Sequence, residues 1–372
     1  MSRLINGLAT AVLAAGLLAS CGSTHASGGG ATAKPSTATT STTSVQQAIS
    51  KFKTPVMVGA TPLDLLSPPS PFGSGVLALS SSSGSITLDY VSSAGPKILR
   101  AVPLESSNTA LASTTSTVFG PAVIGNTAWI ATADRLISVG LGSFKQTLNS
   151  PLNGFATTPA GIVATPGSVW VVGDASSFGS NPSDGILMQR YAVSDGTLLS
   201  STYLPGVQVQ SEVLGQGEIW ITTQTAGHGT TPPQVQTLEF DPATGRLKNS
   251  FVVSKQAAFG LMVATTQRLW GSLDSYIALV PPSFVTVDLA SKINAVKVPG
   301  VVGEILDANV DPNGQVVWAI GPSALFEIAS TSDKVLQAWN LSGLFATTVV
   351  SQGGGIIWVF GHSRLSELRV SQ

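Results

Sequence analysis

Six of the seven tryptophans in this chain sit inside short apolar runs that return at intervals of 41, 50, 50, 48 and 40 residues. Self-similarity at that period implies one supersecondary unit copied along the chain, each copy too small to bury its own apolar face. The first three copies share a leading glycine: Gly125-Asn126-Thr127-Ala128-Trp129-Ile130, Gly167-Ser168-Val169-Trp170-Val171 and Gly217-Glu218-Ile219-Trp220-Ile221. The core returns as Arg268-Leu269-Trp270-Gly271, Val317-Trp318-Ala319-Ile320 and Ile357-Trp358-Val359-Phe360. A copy without tryptophan precedes them at Gly75-Val76-Leu77-Ala78-Leu79, which brings the number of copies to seven.

A second half-repeat follows most of these runs. Its clearest form is Gln234 to Phe240, the turn Asp241-Pro242-Ala243-Thr244-Gly245, and Leu247 to Val253. Alternating apolar residues imply strands, and Asp, Pro and Gly supply the turn chemistry between them. Weaker copies are Met188 to Val193 with Asp195-Gly196, Leu325 to Ile328 with Ser332-Asp333, and Arg135 to Val139. No stretch shows helical periodicity with caps. A β-sandwich or two smaller barrels would leave the tryptophan period without a cause, so the expected fold is all-β, a seven-bladed β-propeller of four-stranded blades. The chain ends after Arg364 to Val370, one strand short of a full last blade, and Lys53 to Val58 precedes the first. An amino-terminal strand is therefore expected to close the ring.

If the tryptophan strands all run the same way, the fourth residue after each tryptophan falls on one rim. Those residues are Ala133, Asp174, Gln224, Asp274, Pro322 and His362, with Asp134 beside the first and His228 in the longer loop after Gln224. Loops on a rigid scaffold are where binding groups collect, whereas Asp and His also end strands as ordinary solvated turn residues. The candidate ligand-binding set is Asp174, Gln224, His228 and Asp274, from three consecutive blades. Of the other histidines, His25 lies in a Ser/Thr-rich segment and His362 is three blades away from His228. One tryptophan per blade at a fixed position is read as packing between blades, and Trp339 as the cover of an outer strand.

From about Lys51 to the end, the Gly-x-Val-Trp-Val strand and the Asp-x-x-Thr-Gly turn resemble the bacterial propellers of the quinoprotein, streptogramin lyase and surface-layer repeat kinds. The closest copy is Pro159-Ala160-Gly161-Ile162 followed by Gly167 to Val171. Resemblance to the lyases implies a loop histidine working with a carboxylate and a divalent cation on one face. His228 has Asp174 and Asp274 as its possible neighbours, but the lyase motif does not match residue by residue. Other catalytic signatures are missing: no Gly-x-Ser-x-Gly elbow, no His-Glu-x-x-His pair, no phosphate-cradling loop and no metal-spaced Cys/His set. No catalytic residue, no metal ligand and no cofactor is assigned.

The only cysteine, Cys21, closes Leu18-Ala19-Ser20-Cys21 after an apolar run that begins at Leu4 and follows Arg3. The pattern resembles the lipobox of a bacterial lipoprotein, which implies a signal peptide over residues 1–20, lipidation of Cys21 by a diacylglycerol thioether and acylation of the new amino terminus. Several acyl chains hold a protein at a membrane far more firmly than one. Residues 21–46, rich in Ser, Thr, Gly and Ala, cannot bury enough apolar surface to order themselves and read as a flexible tether, with the propeller over 47–372. No later apolar run is long enough to span a bilayer. With 18 Lys and Arg against 19 Asp and Glu and no basic cluster, nucleic acid is excluded as a partner. Once Cys21 is lipidated no thiol remains, so the fold stands without a disulfide.

These features together read as a monomeric, lipid-anchored module on the extracytoplasmic face of the cell membrane. It binds or scaffolds an envelope protein or a small ligand through one propeller face; the alternative is a lyase or hydrolase of the streptogramin lyase type acting at that face.

Overall fold

The computed structural model describes residues 52–82, 85–93, 95–104, 118–175, 185–205, 207–215, 217–225, 234–254, 257–265, 267–275, 283–288, 293–296 and 304–371. Within them are 28 strands in seven antiparallel sheets of four, and every secondary-structure element of the described residues other than turns and bends is β. Six sheets are contiguous in sequence: residues 70–103, 119–151, 155–205, 207–254, 257–295 and 307–340 form blades 1 to 6. Blade 7 takes three strands from residues 346–369 and its fourth from Val56–Pro62. The first strands of all seven neighbouring blades touch one another in turn, which closes a ring with those strands innermost. This is the seven-bladed propeller expected from the repeat.

The tryptophan is the third residue of each second strand, and in blade 1 Leu77 holds its place. Side chains alternate across a strand, so the tryptophan faces one neighbouring blade and its two flanking residues face the other. Trp129 accordingly packs with Val169 and Val171, the residues flanking Trp170. Trp170 packs with Ile219 and Ile221 of blade 4, and Trp358 with Val76 and Ala78 of blade 1, across the closure. Both faces of the strand are therefore covered, which explains why it reads as a continuous apolar run rather than an alternating one. Seven buried clusters occupy the seven interfaces between blades. Removing one such indole would cost about 3–5 kcal/mol.

The turn between third and fourth strands docks on the preceding blade. In the turn of blade 4, Asp241 Oδ1 accepts the N–H of Ala243 at 2.7 Å and the Asp241 carbonyl accepts that of Gly245, also at 2.7 Å. Gly245 has φ +69°, and a Cβ there would stand 2.5 Å from the ring of Trp170 in blade 3. The indole N–H of Trp170 in turn donates to the Pro242 carbonyl at 2.9 Å. The Asp-Pro-x-Thr-Gly run is thus a blade-to-blade lock as well as a hairpin turn.

The closure is more extended than the sequence suggests. The strand on blade 7 is Val56–Pro62, pairing antiparallel with Arg364–Arg369 so that Pro62 lies opposite Arg364. Ahead of it, Lys53 forms a bridge to Trp339 on the outer strand of blade 6, receiving and giving backbone bonds with Asn340 (2.8 Å) and Ala338 (3.1 Å). Phe52 sets its ring edge-on to Phe326 of the same blade at 6.0 Å. Trp339 belongs to this outer strand instead of covering one; Lys53 pairs beside it and Trp318 packs on it, leaving it 1% exposed.

Candidate functional site

The rim at the far end of the second strands carries the residues expected there, but in two different settings. In blades 2, 6 and 7, Ala133, Pro322 and His362 lie beyond the strand. In blades 3, 4 and 5 the second strands Ser168–Ala175, Glu218–Thr225 and Arg268–Ser275 run on past the rim position. Asp174, Gln224 and Asp274 are therefore strand residues, opposite Ile186, Val235 and Ala258 respectively. Asp174 Oδ1 accepts the backbone N–H of Val209 in blade 4 at 3.1 Å, so its carboxylate ties two blades together. Burial raises its pKa and that bond partly offsets the rise. Gln224 is half-buried. His228 and Cys21 lie outside the described residues. Among the described residues no group of three His, Cys, Asp or Glu side chains is placed to hold a metal ion.

A more developed site stands on the same rim at the closing blade. His362 and Ser363 form the two-residue hairpin loop between the second and third strands of blade 7, with φ of +51° and +55°. Positive φ at both central residues is the signature of a type I′ turn, where Asn and Gly are the usual occupants. The neighbouring loop adds Gly343 (φ +90°) and Phe345 (φ +46°). Left-handed backbone outside glycine costs energy and persists only where its surroundings over-determine it. Here they do: a Cβ on Gly361 would meet the carbonyl oxygens of Leu344 and Phe345 at 2.3 and 2.6 Å, and the His362 ring packs edge-on to Phe345 at 4.2 Å.

This turn separates two clefts. On the blade 6 side, a cleft of about 360 Å³ is lined by His362 and Arg364, with Met57, Ala60 and Leu344 as apolar walls; Arg364 is its one permanently charged side chain. On the blade 1 side, a cleft of about 510 Å³ is lined by Ser363, Asp64 and Asp89, with Ser80, Ser81 and Thr87, and carries no Lys, Arg or His. Its frame is rigid. The Leu63 N–H donates to the Ser363 carbonyl at 3.0 Å, the Ser81 N–H to that of Asp64 at 2.9 Å, and the Leu66 N–H to that of Leu79 at 2.8 Å. Asp89 is 3% exposed, and Ser80 Oγ donates to its Oδ2. Burial raises its carboxyl above the ordinary range, with the Ser80 bond opposing.

His362 belonged to the rim read from the sequence; Asp64, Asp89 and Arg364 did not. In Ser85-Ile86-Thr87-Leu88-Asp89-Tyr90-Val91 alternation puts Asp89 on the polar face with Ser85 and Thr87, so nothing in the sequence marks its burial. Nor does anything mark Asp64, which comes to the cleft only because the ring closes.

Ring closure by an amino-terminal strand and seven four-stranded blades define a β-propeller, with two clefts on one rim. No protein-family model matches the sequence, and no curated protein matches it. Among solved structures that share the fold, the crystal structure of BamB from Moraxella catarrhalis gives a TM-score of 0.50 at 12% identity, over 85% of this chain and 100% of that one. At that identity the likeness is one of fold.

Proposed function

We propose that the chain is a lipid-anchored, extracytoplasmic β-propeller that acts as a binding or scaffolding module of the cell envelope. The observation that carries the binding part is the pair of clefts of opposite charge on either side of the His362-Ser363 turn, held on strained but well-packed backbone. Pre-organised polar groups on a rigid scaffold lose little freedom when a partner docks. The anchoring part rests on Cys21 and the apolar run before it. Residues 1–20 are then a signal peptide and 21–46 a tether that lets the propeller reach partners near the membrane. Engagement of Asp174 with Val209 favours a structural role for that carboxylate over a share in a cation-dependent lyase site.

The test places a photo-reactive amino acid at His362, and as a control at Asn126 in a turn on the opposite rim, in cells expressing the full chain. A discrete cross-linked envelope protein from position 362 and none from 126 is expected. Equal labelling from both, or none from either, would rule out this face as the binding site.

A further inference from the structure

Resting on that binding reading, we propose that the cleft between blades 7 and 1 takes the side-chain ammonium group of a lysine on a protein partner, with Asp89 as its anchoring anion. The cleft is unbalanced: Asp64 and Asp89 contribute carboxylates, hydroxyls line it, and no cationic side chain does. Asp89 is almost wholly buried, and its carboxylate accepts the hydroxyl of Ser80 through Oδ2. A buried carboxylate is favourable only when paired, and an ammonium ion supplies both the charge and the donors it lacks.

The choice among cations follows from the same geometry. Because Ser80 already occupies Oδ2 of Asp89, a guanidinium fork that needs both oxygens is poorly matched, whereas an ammonium is a compact point donor. A calcium ion takes six to eight oxygens, several of them carboxylate, and the described residues offer no such group. Pro62, Leu63, Ile98 and Ala101 add apolar surface to the same lining, Ala101 directly across from Asp89 in the sheet, and Ile98 is 43% exposed. A lysine presents four methylenes to such a surface while its head reaches the carboxylate. The cleft opens to solvent at exposed Asp64 and at the outer strand Lys97–Pro103, where the partner's backbone would lie.

Titration calorimetry on the full chain in detergent tests the assignment, with lysine blocked at both ends as the probe and blocked norleucine, blocked arginine, cadaverine and calcium chloride as comparisons. Saturable binding of the lysine probe is expected, with norleucine silent and arginine and cadaverine weaker. Asp89→Asn, which keeps the shape and the bond to Ser80, should weaken the lysine probe by at least about tenfold. Ser363→Lys, on an exposed turn, fills the cleft with its own ammonium group and should abolish it. Silence of the lysine probe, equal affinity for norleucine, tighter binding of calcium or cadaverine, or full affinity in Asp89→Asn would each overturn the assignment. Cross-linking at His362 is read separately: a cross-link that forms while the lysine probe stays silent rejects this assignment and leaves the binding face standing.

Discussion

The carboxylate of Asp307 accepts the backbone N–H of Val349 at 2.9 Å, so the innermost strands of blades 6 and 7 are joined by a side chain in place of a ladder. The pattern continues every second residue. Asn309 Oδ1 accepts the Ser351 N–H at 3.0 Å, and Asp311 Oδ2 accepts the Ser351 hydroxyl at 3.3 Å. Period-two geometry brings these three side chains to one face, toward the blade that the amino-terminal strand completes.

Asp307 should make stability depend on pH. Its partly buried position pushes the carboxyl up to about 7, against the opposing bonds from Val349 and Ala308. Between pH 3.8 and about 7 the native state then holds a proton that the unfolded state has largely lost. This contribution is fully present below pH 3.8 and declines as pH rises to about 7. Asp307→Asn keeps an acceptor for Val349 and removes the charge. Thermal melts of the two proteins should coincide near pH 4 and separate in favour of the variant by on the order of 1 kcal/mol above pH 7. A constant difference across that range would reject the coupling.

The strap makes a prediction about ring closure. Deleting residues 51–58 removes the Lys53 bridge to blade 6 and the first part of the closing strand, leaving unpaired strand edges. The melting temperature should fall by several degrees. Removing residues 22–40 of the Ser/Thr/Gly/Ala segment should leave it unchanged. Equal melts for the two deletions would show that closure does not depend on the strap.

Two glycines with the same backbone separate strain from packing. Gly245 (φ +69°) and Gly314 (φ +72°) differ in that a Cβ meets Trp170 at the first and nothing within 4 Å at the second. Gly314→Ala should cost about 1 kcal/mol of left-handed strain. Gly245→Ala should cost about 1–3 kcal/mol more, because the Trp170 ring must move in a filled interface. Denaturant midpoints measure both, and equal losses would mean that the turn does not lock the blades.

Anchoring is tested at Cys21. Cys21→Ala should leave the protein unprocessed at this position and without attached lipid, which the mass of the intact protein measures. A variant still cut before residue 21 and still carrying the mass of attached lipid would exclude the lipoprotein reading.

Local chemistry wrote much of this fold into the sequence. The tryptophan period marks the blades because each second strand must cover both faces, and Asp241 to Gly245 marks a turn because only such residues fit it. Blade 7 draws three strands from residues 346–369 and its fourth from Val56–Pro62, an apolar segment ahead of the first copy of the repeat. What the tertiary structure alone decided is which distant residues meet. Period two tells which face a side chain takes but not what lies opposite it. Trp339 is buried because Trp318 and the first strand of blade 7 pack on it and Lys53 returns to pair beside it, Asp174 is engaged because Val209 of the next blade faces it, and Asp64, Asp89 and Ser363 share a cleft because the ring joins its two ends there.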